Sequence, residues 1–280
     1  MIPKAELLIA AKKFSLPPLT VEKDYILGWM LCALYTHSDV QGKWIFKGGT
    51  SLKKCYFEDY RFSEDLDFTI LNPITIRELQ DIIRDVALWL WDNIGIEIDQ
   101  ERTWFETLAS HPNQQITQGA VYYRGPASPS HKQGWPRIKF DITFDEVLVD
   151  IPEIKSIIHL YSDKSQRMQN CVSVYSIVEI FIEKMRAIKE RTSPRDLYDI
   201  VQIWDRMDIT NKVDIIQDGV AKKMAFKNLD LNWSDISFTV CKASWKSLLG
   251  HQMNSLESFD EYLPQFLDIL PHLKRGGFLT

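Results

Sequence analysis

The sequence contains no apolar run approaching the ~20 residues that a bilayer-spanning helix needs. It also contains no internal repeat and no low-complexity tract, which sets aside solenoids and linker-rich arrays. Cysteine is sparse: Cys32, Cys55, Cys171 and Cys241 form no CxxC pair and no metal-type spacing, so four reduced thiols in a cytoplasmic protein are expected. The six histidines (His37, His111, His131, His159, His251, His272) make neither HxxxH nor HxH, and no zinc site is expected. There is no GxxxxGK[ST], no GxSxG and no cysteine-centred nucleophile signature, which excludes a P-loop and the common acyl-transfer sites. The opening residues, Met1-Ile2-Pro3-Lys4-Ala5-Glu6, carry one early lysine and no small-residue cleavage site, so no signal peptide is expected.

A basic excess is missing too. The net charge is -5 over 280 residues, which argues against a general polyanion sponge. Residues 1–150 hold 16 Lys+Arg against 21 Asp+Glu, whereas residues 151–280 hold 17 of each. Within the neutral half, Lys184 to Arg195 contains five basic residues and one acid, Glu190. An acidic centre in one half and a local basic surface in the other suit a metal site facing a phosphate-bearing partner; ordinary solvated helix charge explains the same distribution.

What is present reads as α/β. Apolar spacing predicts a helix over Ala5–Ala11 and a second that starts at an N-capping Thr20 and continues through Leu34. Trp44-Ile45-Phe46 reads as a strand running into Lys47-Gly48-Gly49-Thr50-Ser51, with a helix beginning near Thr50 or Ser51. Leu66 to Leu71 reads as a strand, and Ile76 to Asn93 as a long amphipathic helix. Residues 95–145 look β-rich, with the cleanest alternation in Arg137 to Phe144. From Ser176 onward the pattern is helical, with Pro194 in the first turn of a new helix. The expected layout is a helical lead-in plus α/β core over residues 1–170 and a helical domain over 171–280.

The chemistry concentrates in one stretch. Asp65 and Asp67 are two apart, so on a strand both project from the same face, where two carboxylates repel unless a cation lies between them. Oxygen-only ligands suit Mg²⁺, with Mn²⁺ as the alternative. Gly48 and Gly49 leave backbone N–H groups uncovered where a helix starts, a setting that favours phosphate, and Thr50 and Ser51 add hydroxyls. Asp141 sits mid-strand between Phe140 and Ile142, where a lone buried acid is costly unless paired or metal-bound. Three carboxylates on adjacent strands can hold two divalent ions.

The order GGTS, RFSEDLDF, KFDI, then Glu179 to Ala187 and Arg195-Asp196-Leu197-Tyr198-Asp199, resembles the AbiEii/AbiGii-type nucleotidyltransferase toxins of the DNA polymerase β-like superfamily. Val21-Glu22-Lys23-Asp24-Tyr25 resembles that family's first core helix, and the likeness covers roughly residues 20–205. It implies a polymerase-β-like nucleotidyltransferase core with a small mixed sheet flanked by helices, plus a helical C-terminal domain. It further implies metal and catalytic roles for Asp65, Asp67 and Asp141. Gly48, Gly49, Thr50, Ser51, Arg61, Ser63 and Arg195 become nucleotide contacts, and Lys184 and Asp199 become catalytic, with Ser51 competing with Thr50 and Lys189 with Lys184. The implied activity moves a nucleoside monophosphate from an NTP to an acceptor hydroxyl, that of RNA and in particular a tRNA 3′ end, in a toxin with a nearby-encoded antitoxin. A small-molecule or protein acceptor is the first rival; a catalytically silent binding module is the second, opposed by the intact acid triad. Asp199 could instead pair with Arg195 four residues back. Asp196, Glu179 and Glu183 read as helix-surface or supporting groups, and Lys222, Lys223, Lys227, Lys242 and Lys246 as a phosphate track.

Overall fold

Strand alternation decides which side chains meet water. The computed structural model describes residues 1–111, 114–144 and 146–273, the side chains at 109–115 excepted. Among these, α1 (Lys4–Phe14) and α2 (Pro18–Leu34) lead into β1 (Trp44–Lys47), and a short helix α3 (Gly48–Ser51) continues as a π-helical turn over Leu52–Tyr56. Then follow β2 (Asp65–Ile70), α4 (Ile76–Ile94), β3 (Glu97–His111), β4 (Gln114–Arg124), β5 (Arg137–Phe144), β6 (Glu153–Lys155) and β7 (Val172–Val174). The α2 helix begins at Pro18, not at Thr20: proline at the first helical position lacks only an N–H that would have been orphaned there. Its residues from Tyr25 to Leu34 are all buried, as expected of a helix that is apolar on every side. The α4 helix is set by sequence at both ends, with a Thr75–Glu78 capping box and a left-handed Gly95 after its last turn.

The strands form a seven-stranded mixed sheet among the described residues, in the order β3-β4-β5-β2-β1-β7-β6. Neighbours β2 and β5 run parallel, as do β1 and β7, and the remaining pairs are antiparallel. On one face Phe46, Leu66, Phe68, Phe140 and Ile142 are fully buried in the core. The opposite face carries the polar half of each alternation, including Asp65, Asp67, Lys139 and Asp141.

The chain divides into two compact units: residues 1–146 with 152–174, and residues 147–151 with 175–280. The second unit contains α5 (Ile177–Arg191), α6 (Pro194–Arg206), α7 (Val213–Phe226), α8 (Thr239–Leu249) and α9 (Phe259–Ile269). Ser176 caps α5 by accepting from Glu179 N–H, and Pro194 opens α6. The short 147–151 segment is tied in by the buried Glu179 carboxylate, which accepts from Val149 and Asp150 N–H at 2.9 and 2.8 Å.

Candidate active site

The register of three strands assembles the acids. On β2, Asp65 and Asp67 flank the buried Leu66 and so share the polar face. The β2–β5 pairing sets Asp67 directly beside Asp141 and Asp65 beside Lys139, on strands about 4.8 Å apart. All three carboxylates are half-buried, and that of Asp141 makes no hydrogen bond or ion pair among the described residues. The donor set is carboxylate oxygen only, which fits Mg²⁺ or Mn²⁺ in kind. Among the described residues no three acidic, histidine or cysteine side chains close round a point by themselves. Mg²⁺ commonly takes one or two carboxylates and completes its shell with phosphate oxygens and water.

The glycine turn is built against these acids. Gly48 has φ +77°, and a Cβ there would meet Asp67 Oδ2 at 2.1 Å, so backbone and carboxylate touch. A Cβ on Gly49 would meet Arg61 Nη2 at 2.4 Å, which shows the buried guanidinium lying flat on the turn. Thr50 and Ser51 are fully buried and bonded internally. Thr50 Oγ1 donates to the Asp65 carbonyl at 2.6 Å and lies 2.8 Å from Ser63 Oγ, and Ser51 Oγ donates to the Gly48 carbonyl at 2.7 Å. Both hydroxyls therefore shape the turn, pinning it to the start of β2. The π-helical turn that follows is anchored by Lys54, whose ammonium pairs with Asp24 of α2 at 2.7 Å with both groups buried. Burial works against the Asp24 charge, yet Lys54 and Lys53 outweigh it and hold its carboxyl below the usual range.

Two residues beside the acids escape notice in the sequence. Lys47 is the cross-strand partner of Asp67, and its ammonium donates to Thr143 Oγ1 at 2.6 Å and to the Glu146 carboxylate. Glu146 also accepts from Thr69 Oγ1 at 2.6 Å and from Thr143 Oγ1 at 2.9 Å. A lysine is thus fixed one strand from Asp67. The available signal was its alternation with Phe46 on β1; Glu146 lies past the end of β5 and has none.

In the second unit, Lys184, expected from the resemblance as a catalytic lysine, lies between two acids of α6. Its ammonium lies 2.9 Å from Asp196 Oδ1 and 2.7 Å from Asp199 Oδ2, and both acids are fully buried. Arg191 closes on Asp196 with two bonds, at 2.8 and 3.1 Å. Asp196 and Glu179 are thus interior groups, not helix-surface ones, and Asp199 turns to Lys184 instead of Arg195. Lys189 reaches Asp230 and Asp235. Arg195 is half-buried, and its buried Nε has no hydrogen-bond partner among the described residues. Of the lysines read as a phosphate track, Lys223 is buried against Glu179 and Glu183, and Lys242 pairs with Asp260.

Burial works against the Asp196 charge, but Lys184 and Arg191 outweigh it and keep its carboxyl well below the ordinary carboxylate range. A depressed folded-state pKa stabilises the fold above the unfolded value of about 3.9 and loses that contribution as pH falls towards the folded one. Lys184→Ala, which leaves two buried carboxylates short of a partner, is expected to destabilise the protein by about 3–5 kcal/mol at neutral pH. Urea denaturation at about pH 7 and again near pH 3 should show the penalty shrinking on acidification; a neutral-pH loss below about 1 kcal/mol would contradict the pairing.

A mixed sheet that carries same-face acids against a glycine turn suits nucleotidyl transfer. The family model described as "Nucleotidyl transferase AbiEii toxin, Type IV TA system" matches residues 29–270, and the chain belongs to that family of nucleotidyltransferase toxins of type IV toxin–antitoxin systems. Among solved structures it is similar to MenT4, the nucleotidyltransferase toxin Rv2826c of Mycobacterium tuberculosis H37Rv. The TM-score is 0.64 at 17% identity, covering 99% of this chain and 92% of that one, which is a likeness of fold. No curated protein matches significantly by sequence. Among the described residues no helix is long and apolar enough to cross a membrane.

Proposed function

We propose that the enzyme transfers a nucleoside monophosphate from an NTP to the 3′ hydroxyl of an RNA, a tRNA being the favoured acceptor. The observation that carries this reading is the β2–β5 register, which sets Asp141 beside Asp67 at the point where Gly48 presses on the Asp67 carboxylate. In the proposed reaction the acceptor oxygen bonds to the α-phosphorus, the bond from that phosphorus to the bridging oxygen breaks, and pyrophosphate leaves. The hydroxyl proton passes to a site carboxylate, for which Asp141, without a partner among the described residues, is suited. Asp65, Asp67 and Asp141 would hold Mg²⁺, which when bound neutralises phosphate charge and lowers the pKa of the attacking hydroxyl. The Gly48–Gly49 backbone lies where it can receive the triphosphate, stiffened by Arg61, Thr50, Ser51 and Ser63 from below. Arg195, whose Nε has no hydrogen-bond partner among the described residues, is in this reading a phosphate contact. Lys184 and Asp199 act in this reading by holding α5 to α6.

Incubating the protein with each α-labelled NTP, Mg²⁺ and total RNA should label a band that RNase removes. Label that appears instead on a protein or small molecule would transfer the activity to that acceptor. The cognate antitoxin, implied by the family, should suppress the toxicity without being required for labelling.

A further inference from the structure

The exposed sheet face continues past the acids. Strand register arranges it in rows: Glu106, Gln118, Asp141, Asp67 and Lys47 form one, and Trp104, Ala120, Lys139 and Asp65 form the next. An open groove runs between these rows from Trp104 to Asp141, floored by Gly119 and Ala120. Trp104 is 39% exposed and Lys139 is exposed, with no ion pair or hydrogen bond among the described residues. Between them in the row Ala120, itself buried, carries only a methyl group and makes a narrow shelf.

A third row is built from the same strands. The β3–β4 pairing is interrupted between Asp99 and Trp104, so that the extra residues loop outward. Asp99 holds the loop, accepting from Arg102 N–H at 3.3 Å and from Thr103 Oγ1 at 2.8 Å. Arg102 thereby lies over the Tyr122 ring at 4.0 Å, and Arg137 donates to the Tyr122 hydroxyl at 3.1 Å. Arg137 lines the groove and Arg102, which also donates to the Lys132 carbonyl, lies beside Tyr122; neither guanidinium has a carboxylate partner among the described residues. Aromatic face, shelf and fixed cations are what a stacked base and its flanking phosphates require.

Strand order says which nucleotide belongs there. The glycine turn follows β1, the acids stand on β2 and β5, and the groove lies over β4 and β3. Ala120 is two strand spacings, about 10 Å, from Asp65 on the side away from the turn. In an in-line displacement the attacking oxygen and the leaving pyrophosphate stand on opposite sides of the α-phosphorus. With the triphosphate at the turn, the β4 side is where the acceptor arrives.

We propose that this groove seats the 3′-terminal segment of the acceptor RNA, with Trp104 stacking on a base and Lys139, Arg137 and Arg102 gripping the adjoining phosphates. The proposal rests on the RNA-acceptor reading above and moves the RNA contact from the C-terminal lysines to the sheet. The test uses a 5′-fluorescein single-stranded RNA with a free 3′ end, followed by anisotropy without NTP. Trp104→Ala should weaken binding roughly tenfold, the scale of one base–aromatic stack, and Trp104→Phe should restore most of it. Lys139→Ala should weaken binding and lower the slope of log affinity against log salt by roughly one. The KM for NTP should stay at the wild-type value in all three. A raised NTP KM with unchanged RNA affinity would overturn the proposal and give the groove to the incoming nucleotide's base. If wild-type enzyme labels RNA but Trp104→Ala binds and labels it equally well, this inference alone falls; if wild-type enzyme labels no RNA, the acceptor reading falls first.

Discussion

Asp67→Asn is expected to reduce nucleotidyl transfer on the order of 10³-fold, about 4 kcal/mol of transition-state stabilisation, with little change in the stability of the metal-free protein. The asymmetry follows from position. Asp67 is half-buried next to Asp141 on the neighbouring strand, with both acids on the polar face of the sheet. Asparagine keeps the shape but offers a divalent ion a neutral oxygen where a charged one is needed. A thermal melt separates this from general damage. In the wild type, added Mg²⁺ and a non-hydrolysable NTP should raise the melting temperature by mass action. In Asp67→Asn, and likewise in Asp141→Asn, that increment should disappear while the unliganded melt stays put. Transfer within tenfold of wild type in either variant would remove these acids from the proposed metal site.

The second large effect is expected from Gly48→Ala. With φ at +77°, any side chain costs roughly 1–2 kcal/mol in backbone strain alone. The added Cβ would also stand 2.1 Å from Asp67 Oδ2 and 2.9 Å from its Cγ, so the carboxylate must move by an ångström or more. Displacements of that size in a reacting constellation cost about 10²-fold in rate, which is the loss expected here. Gly42 supplies the internal control: its φ is +69°, yet an added Cβ meets nothing within 4 Å. Gly42→Ala should therefore show a similar drop in stability with full activity. Equal activity losses in the two variants would mean that strain, and not the carboxylate, is responsible.

The local parts of this site were readable because local rules make them. Two-residue spacing put Asp65 and Asp67 on one face, and the alternation from Arg137 to Phe144 marked Asp141 as a mid-strand acid between apolar neighbours. What spacing could not express is that β2 pairs with β5 in parallel, residue 67 opposite 141, because register between strands distant in sequence is settled by the buried face as a whole. The same limit hid Lys47 and Glu146, which become neighbours only through that pairing. The basic run from Lys184 to Arg195 had a different limit: composition cannot say which of its cations pairs with a buried acid. Asp196 and Asp199 share one face of α6 three residues apart, and Lys184 is drawn to them. Trp104 looked like one apolar residue in a β-rich stretch, since the interruption that re-aims β3 leaves no turn signature in the sequence.

The parallel pairing of β2 with β5 also governs when the enzyme can exist during its own synthesis. Seventy-four positions separate Asp67 from Asp141, and all of α4 and the β3–β4 pair must emerge before the second acid can dock. The flank of β1 waits longer, because its other neighbour, β7, ends only at Val174. Contacts this distant in sequence form slowly, after the cost of closing the intervening loop has been met. A ribosome still translating the first half of the message therefore carries a chain whose β2 has no β5 to pair with. For a chain whose finished form is a toxin, prematurely terminated fragments ending before β5 should be inert.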